Sequence, residues 1–168
     1  MASSLSVITI SILAALLQSH FLIVSPCMSC ISPWTSFGDH CYLLVTNETT
    51  FDEAEQHCQS LSRLGRPSHL ASILSQEEYD FLLLLIKSVH GGEIGKKTWF
   101  GYRKNNSSST WRFIDGSPSG GFINWDNRHP IGHGLCAEIL ETTASNLWND
   151  LACSYYRRGS ACKIAARL

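Results

Sequence analysis

Charge is what this chain has least of. Charged residues make up 16% of its 168, against about 25% in an average soluble protein. Lys and Arg number 13 against 14 Asp and Glu, a formal net charge of -1. That leaves no clustered basic excess of the kind a nucleic-acid partner requires. No Lys or Arg precedes Arg63. There is no internal repeat and no block of like charge. Beyond the N-terminus the FLLLLI run at residues 81–86 is far short of the roughly 20 residues that span a bilayer, so membrane insertion is not expected. No CxxC pair recurs with His at zinc spacing. No Ser/His/Asp set stands in a motif context and no paired carboxylates form a cleft pattern. These absences argue against an enzyme.

What is present begins with an apolar stretch, MASSLSVITISILAALLQSHFLIV, interrupted by Gln18, Ser19 and His20. At the extreme N-terminus such a run reads as a secretory signal, here residues 1–29, with small-residue cleavage options after Ser19, Ser25 and Ser29. Secretion fits the seven cysteines, which in an oxidising compartment are disulfide partners rather than metal ligands or nucleophiles. Six of them allow 15 pairings, and composition does not choose among these. Three sequons, at Asn47, Asn105 and Asn106, agree with an extracellular glycoprotein.

Residues 30–166 read as one α+β domain. Thr50-Phe-Asp-Glu53 is a capping box opening a helix with Phe51, Ala54, Cys58 and Leu61 on one face. A second box, Ser75-Gln-Glu-Glu78, opens a helix to about Val89, stopped by Gly91-Gly92 and buried against a sheet. Short aromatic and β-branched runs follow at Thr98–Tyr102, Thr110–Ile114, Ala137–Leu140, Asn146–Trp148 and Ser160–Ile164, read as short antiparallel strands. Between Asp115 and Cys136 lies a long Gly-, Asn- and Pro-rich segment, and irregular segments of that length are mostly functional.

In order along the chain, these residues resemble the C-type lectin-like domain. Cys30, Trp34, Phe37 and Cys41-Tyr42 look like its N-terminal hairpin, and Ala54 with Cys58 its first helix. His69-Leu-Ala-Ser-Ile73 precedes its second helix. Trp99-Phe-Gly-Tyr102 is similar to its Trp-Ile-Gly-Leu hallmark. Trp111, Asp115-Gly-Ser-Pro118, Asn124-Trp125, Cys136, Trp148-Asn-Asp150, Cys153 and Cys162 complete the series. The resemblance implies disulfides Cys30–Cys41, Cys58–Cys162 and Cys136–Cys153. It leaves Cys27 either lost with the signal or free to bridge a second copy, as a homodimer or higher oligomer.

The resemblance also implies a site. Sugar-binding members hold one calcium ion with an acidic or amide residue on each side of a cis proline, a Glu before the third domain cysteine, and the Asn-Asp after Trp. Calcium takes six to eight oxygens. Asn149 and Asp150 stand where the Asn-Asp pair does and are the expected calcium ligands. The aligned triplet is His129-Pro130-Ile131, with a nitrogen on one side and no side-chain donor on the other, and Gly134-Leu135 replace the Glu. Asp126, Asn127 and Glu138 are the nearby substitutes. His129 and His133, four apart, suit zinc in type but lack a third ligand. The expected function is therefore a secreted lectin binding cell-surface or soluble glycans through His129, Ile131, Asn149 and Asp150, with calcium as cofactor. Gly132-His-Gly-Leu135 resembles a segment of galactose-type members and inclines the reading to galactose or N-acetylgalactosamine. Small lectins of this build agglutinate cells in innate defence. The alternative is a calcium-independent module of the same fold that binds a protein or other surface.

Overall fold

The computed structural model describes residues 29–132, 134–142 and 146–167. The signal segment, Cys27 and His133 lie outside the described residues. Among the described residues, eight strands and two helices run in the order β1 (Thr35–Phe37), β2 (His40–Thr49), α1 (Phe51–Ser60), β3 (Ser68–Leu70), α2 (Gln76–Val89), β4 (Lys97–Lys104), β5 (Trp111–Phe113), β6 (Cys136–Glu141), β7 (Asn146–Leu151) and β8 (Arg158–Ala165).

Both helices begin where the caps place them. At α1 the box closes both ways, with the Thr50 hydroxyl accepting from the Glu53 amide and the Glu53 carboxylate accepting from the Thr50 amide. Phe51, Ala54 and Cys58 are buried beneath it. At α2 only half of the expected box forms. Ser75 accepts from the Glu78 amide at 3.1 Å, but the Glu78 side chain turns inward. It takes the Leu74 amide at 2.8 Å, the Lys163 ammonium at 2.6 Å and the Tyr42 hydroxyl. A charged partner on β8 outcompetes the local cap, because a buried carboxylate needs its charge answered.

The strands form one connected mixed sheet rather than separate antiparallel ones. Its order is β1-β2-β8-β4-β6-β7, with β3 on β8 and β5 on β4. The exception to antiparallel pairing is β4 with β8, parallel through Thr98↔Gly159 and Trp99↔Ser160. Three strands, β5, β6 and β7, intervene in the chain before β8 returns to the sheet centre beside β4. Gly101 is required there: a Cβ would sit 2.5 Å from the Leu70 carbonyl oxygen, and its amide donates to Ala71 O at 2.8 Å.

Disulfides join Cys30–Cys41, Cys58–Cys162 and Cys136–Cys153. The second spans 104 residues, and closing so long a loop in the unfolded chain contributes about 4–5 kcal/mol in the chain-entropy description. The third ties the start of β6 to the chain just past β7. Trp148, fully buried, centres an aromatic cluster in which Phe100 and Tyr102 come from β4, and Phe122 and Trp125 from the long segment. Packing two half-buried aromatics against Trp148 is how the irregular segment is pinned to the sheet.

Candidate functional site

The long segment is hung from β7 by its backbone. Asn124 O accepts from the Trp148 amide at 2.9 Å, and the Asp126 amide donates to Trp148 O at 3.0 Å. At its far end the Leu135 amide donates to Leu151 O at 3.1 Å. Gly134 lies so close to β7 that a Cβ would meet the Leu151 amide nitrogen at 2.1 Å, so the Glu expected in the family next to this cysteine is replaced by a residue chosen for contact. Between the two ends the chain turns through Asp126, whose carbonyl accepts from the His129 amide at 2.7 Å and whose carboxylate caps the Arg128 amide at 3.1 Å. The His129–Pro130 peptide is cis.

The loop is organised around one carboxylate. Asp150 Oδ1 accepts from His129 Nδ1 at 2.6 Å and from the Ile131 amide at 2.8 Å. Its Oδ2 accepts from the amides of Gly132 at 3.1 Å and Gly134 at 3.3 Å. The side chain is 0% exposed. Burial pushes this carboxyl up, but the hydrogen bonds from His129, Ile131, Gly132 and Gly134 outweigh it and hold the group below its ordinary value. The Asp150 amide also lies 3.2 Å from His129 Nδ1. Nδ1 does not donate and accept at once, and the shorter contact to a carboxylate assigns it the proton. In the neutral tautomer His129 Nε2 is then an acceptor.

The structure thus brings His129, Ile131 and Asp150 together, but through Asp150 rather than around an ion. Asn149 points elsewhere: β7 alternates between half-buried and buried positions from Leu147 to Leu151, and successive strand side chains face opposite sides. Asn149 pairs in register with Glu138 on β6. Glu138 is committed to Arg158 Nε at 2.7 Å. Asp126 and Asn127 do not join Asp150, and among the described residues no group of three His, Cys, Asp or Glu gathers as a metal site. Calcium does not fit this donor set. Four N–H groups present positive ends to the Asp150 oxygens where a cation needs oxygen neighbours. The sequence singled out Asp150 but missed the three amides that hold it, which only the folded turn aligns. Gly132, at φ 83, and Gly134 are the legible trace of that turn.

Of the sequon residues, Asn47 and Asn106 are exposed, while Asn105 is half-buried and accepts from the Ser107 amide at 2.8 Å. No helix of the described residues is long and apolar enough to cross a membrane.

The model of the Lectin C-type domain matches residues 47–164. This chain belongs to the C-type lectin domain family. It is 36% identical over 124 residues to an alpha-N-acetylgalactosamine-specific lectin of Patiria pectinifera, covering 72% of each chain. Among solved structures it superposes on C-type lectin CEL-I of Cucumaria echinata with a TM-score of 0.73 at 24% identity, covering 83% of this chain and 99% of the other. It also superposes on a calcium-independent type II antifreeze protein with a TM-score of 0.66 at 28% identity, covering 83% and 97%. The family is one of carbohydrate-binding domains, and the mixed sheet with two helices is its fold.

Proposed function

We propose that the protein is a secreted glycan-binding lectin whose binding loop is set by Asp150 instead of calcium, with galactose-type saccharides, N-acetylgalactosamine first, as the ligand class. The observation that carries this reading is the Asp150 carboxylate, already holding four donors and closed to solvent. A loop ordered in this way needs no ion to shape it. The similarity to a lectin named for alpha-N-acetylgalactosamine supports the ligand class. The similarity to a calcium-independent type II antifreeze protein supports an ion-free loop in this fold. On this reading residues 1–29 are the leader and 30–166 the working domain. His129 Nε2 accepts from one sugar hydroxyl, and the exposed Pro130 and Ile131 meet the apolar face of the ring.

Retention on immobilised N-acetylgalactosamine, with calcium and with EDTA, tests it. Equal retention in both is expected, together with loss in His129→Ala. Release by EDTA would restore calcium as cofactor. Failure to bind any saccharide on an array, under either condition, would move the protein-binding module ahead, a reading favoured by the exposure of Ile123 and Ile131.

A further inference from the structure

An open cleft of about 540 Å³ lies beside the β4–β5 turn, lined by Arg103, Lys104, Asn105, Asn106 and Arg112 together with Phe113, Ile114 and Gly116. It shares no residue with the Asp150 loop. Its volume falls in the range of small-ligand sites, roughly 300–1,000 Å³. The lining includes three cations and no acid, in a chain whose acids outnumber its bases. Arg103 and Arg112 are direct cross-strand partners, and like charges placed opposite each other on a ladder are destabilising. The sequence keeps this arrangement on a strand pair of only three rungs, where any compatible residue would be cheaper.

One of the charges is partly answered. Arg103 Nη1 donates to Asp52 Oδ1 at 2.7 Å, and its guanidinium lies 5.6 Å from the Phe51 ring centroid. That contact fixes Arg103 and leaves its remaining donors. Arg112 is exposed, and no ion pair among the described residues includes it or Lys104. Asp115, the nearest acid in sequence, is occupied by the amide and hydroxyl of Ser117. Asn105 spends its side-chain oxygen on the Ser107 amide.

The geometry points to this cleft as a second saccharide site, one that takes sulfated or carboxylated sugars. Guanidinium forks match sulfate and carboxylate oxygens bidentately, and the Lys104 ammonium adds a third positive donor to the same lining. Nucleic acid fits worse: the cleft's one aromatic, Phe113, is 3% exposed and offers no face on which a base can stack.

The test is calorimetric titration at low salt with a sulfated heparin-derived hexasaccharide, its desulfated counterpart and inorganic sulfate. The protein carries Ser107→Ala and Ser108→Ala, so that no glycan on Asn105 or Asn106 fills the cleft. The sulfated oligosaccharide alone should bind. Arg112→Glu should weaken it about tenfold or more, the scale of one lost charge-assisted pair. Arg63→Glu, an exposed charge reversal elsewhere, should leave affinity within about twofold at that ionic strength, and Asp150→Asn should leave it unchanged. Equal weakening by Arg63→Glu, full affinity in Arg112→Glu, or equal binding of the desulfated sugar would overturn the proposal. Inorganic sulfate binding as tightly as the oligosaccharide would reduce the cleft to an anion site and overturn the saccharide assignment. Loss in Asp150→Asn alone would return the activity to the loop.

Discussion

Four carboxylates are buried among the described residues, Glu78, Glu138, Glu141 and Asp150, and Glu78 and Asp150 are satisfied in opposite ways. Glu78, at the start of α2, is answered by side chains from regular elements: the Lys163 ammonium on β8 and the Tyr42 hydroxyl on β2, plus the Leu74 amide. Asp150, near the end of β7, is answered by an imidazole and three backbone amides, all from one irregular loop. The first arrangement crosses between a helix and the middle of the sheet, so it belongs to the whole fold. The second lets a strand carry a loop, and its failure stays local. The difference shows how one domain can keep a fixed frame while its binding loop varies in sequence: the loop needs one acceptor from the frame, and meets it with one imidazole and backbone amides.

The comparison is broken most severely at Lys163. Lys163→Ala leaves Glu78 buried without its countercharge, and removing one member of a buried pair costs about 3–5 kcal/mol. Urea unfolding followed by far-UV circular dichroism measures it. Replacing both members, Glu78→Leu with Lys163→Met, should recover most of that loss, since apolar groups of similar volume are often neutral or better. A loss below about 1 kcal/mol in the single variant would mean that water reaches the pair, as at a surface bridge.

Asp150→Ala comes next. It strips the acceptor from the amides of Ile131, Gly132 and Gly134, and an unmade buried hydrogen bond costs about 1–3 kcal/mol. Relaxation of the loop toward water keeps the total near that of a single bond. Hydrogen exchange should quicken at these three amides while the amides of β8 hold their protection, and retention on N-acetylgalactosamine should vanish. Uniform loosening of both regions would show that Asp150 supports the frame as Glu78 does.

The frame was far more legible than the loop. Thr50-Phe-Asp-Glu53 and Ser75 give the helix starts because capping is local chemistry, and the cysteine order with Trp99-Phe-Gly-Tyr102 carries the family. The ten residues of β2 were readable only through the hairpin resemblance, and β3 not at all, since three residues make no periodic signal. The half-formed box at Ser75 escaped for another reason: Glu78 suits a cap equally well, and Lys163 lies 85 residues away. At the site, Asp150 stood out by type, but the hydrogen bonds that its carboxylate accepts did not. As the neighbour of Asn149 in sequence it resembles a calcium ligand. In the strand the two face opposite sides, and the loop's amides take the carboxylate first. Those amides belong to Ile131, Gly132 and Gly134, whose side chains say nothing about hydrogen bonding.

The smallest effect concerns pH, and it separates an acid-held loop from an ion-held one. Burial alone would raise the Asp150 carboxyl, but the His129 bond and the three amide bonds outweigh it, so the folded value lies below the unfolded one. A group depressed in this way contributes fully above its unfolded value, about 3.9 for Asp. The contribution is lost as pH falls through the folded value. His129 donates from Nδ1 in either protonation state, so the clamp needs no change there. Protection factors of the Ile131, Gly132 and Gly134 amides should therefore stay flat from neutral pH down to about pH 4 and fall below it. Asp150→Asn should remove that dependence. Calcium should leave the profile where it is, because the oxygens it would seek are already held by N–H groups. A profile that shifts when calcium is added would show that an ion competes successfully for Asp150, and the contrast with Glu78 would then be between a structural acid and a metal ligand.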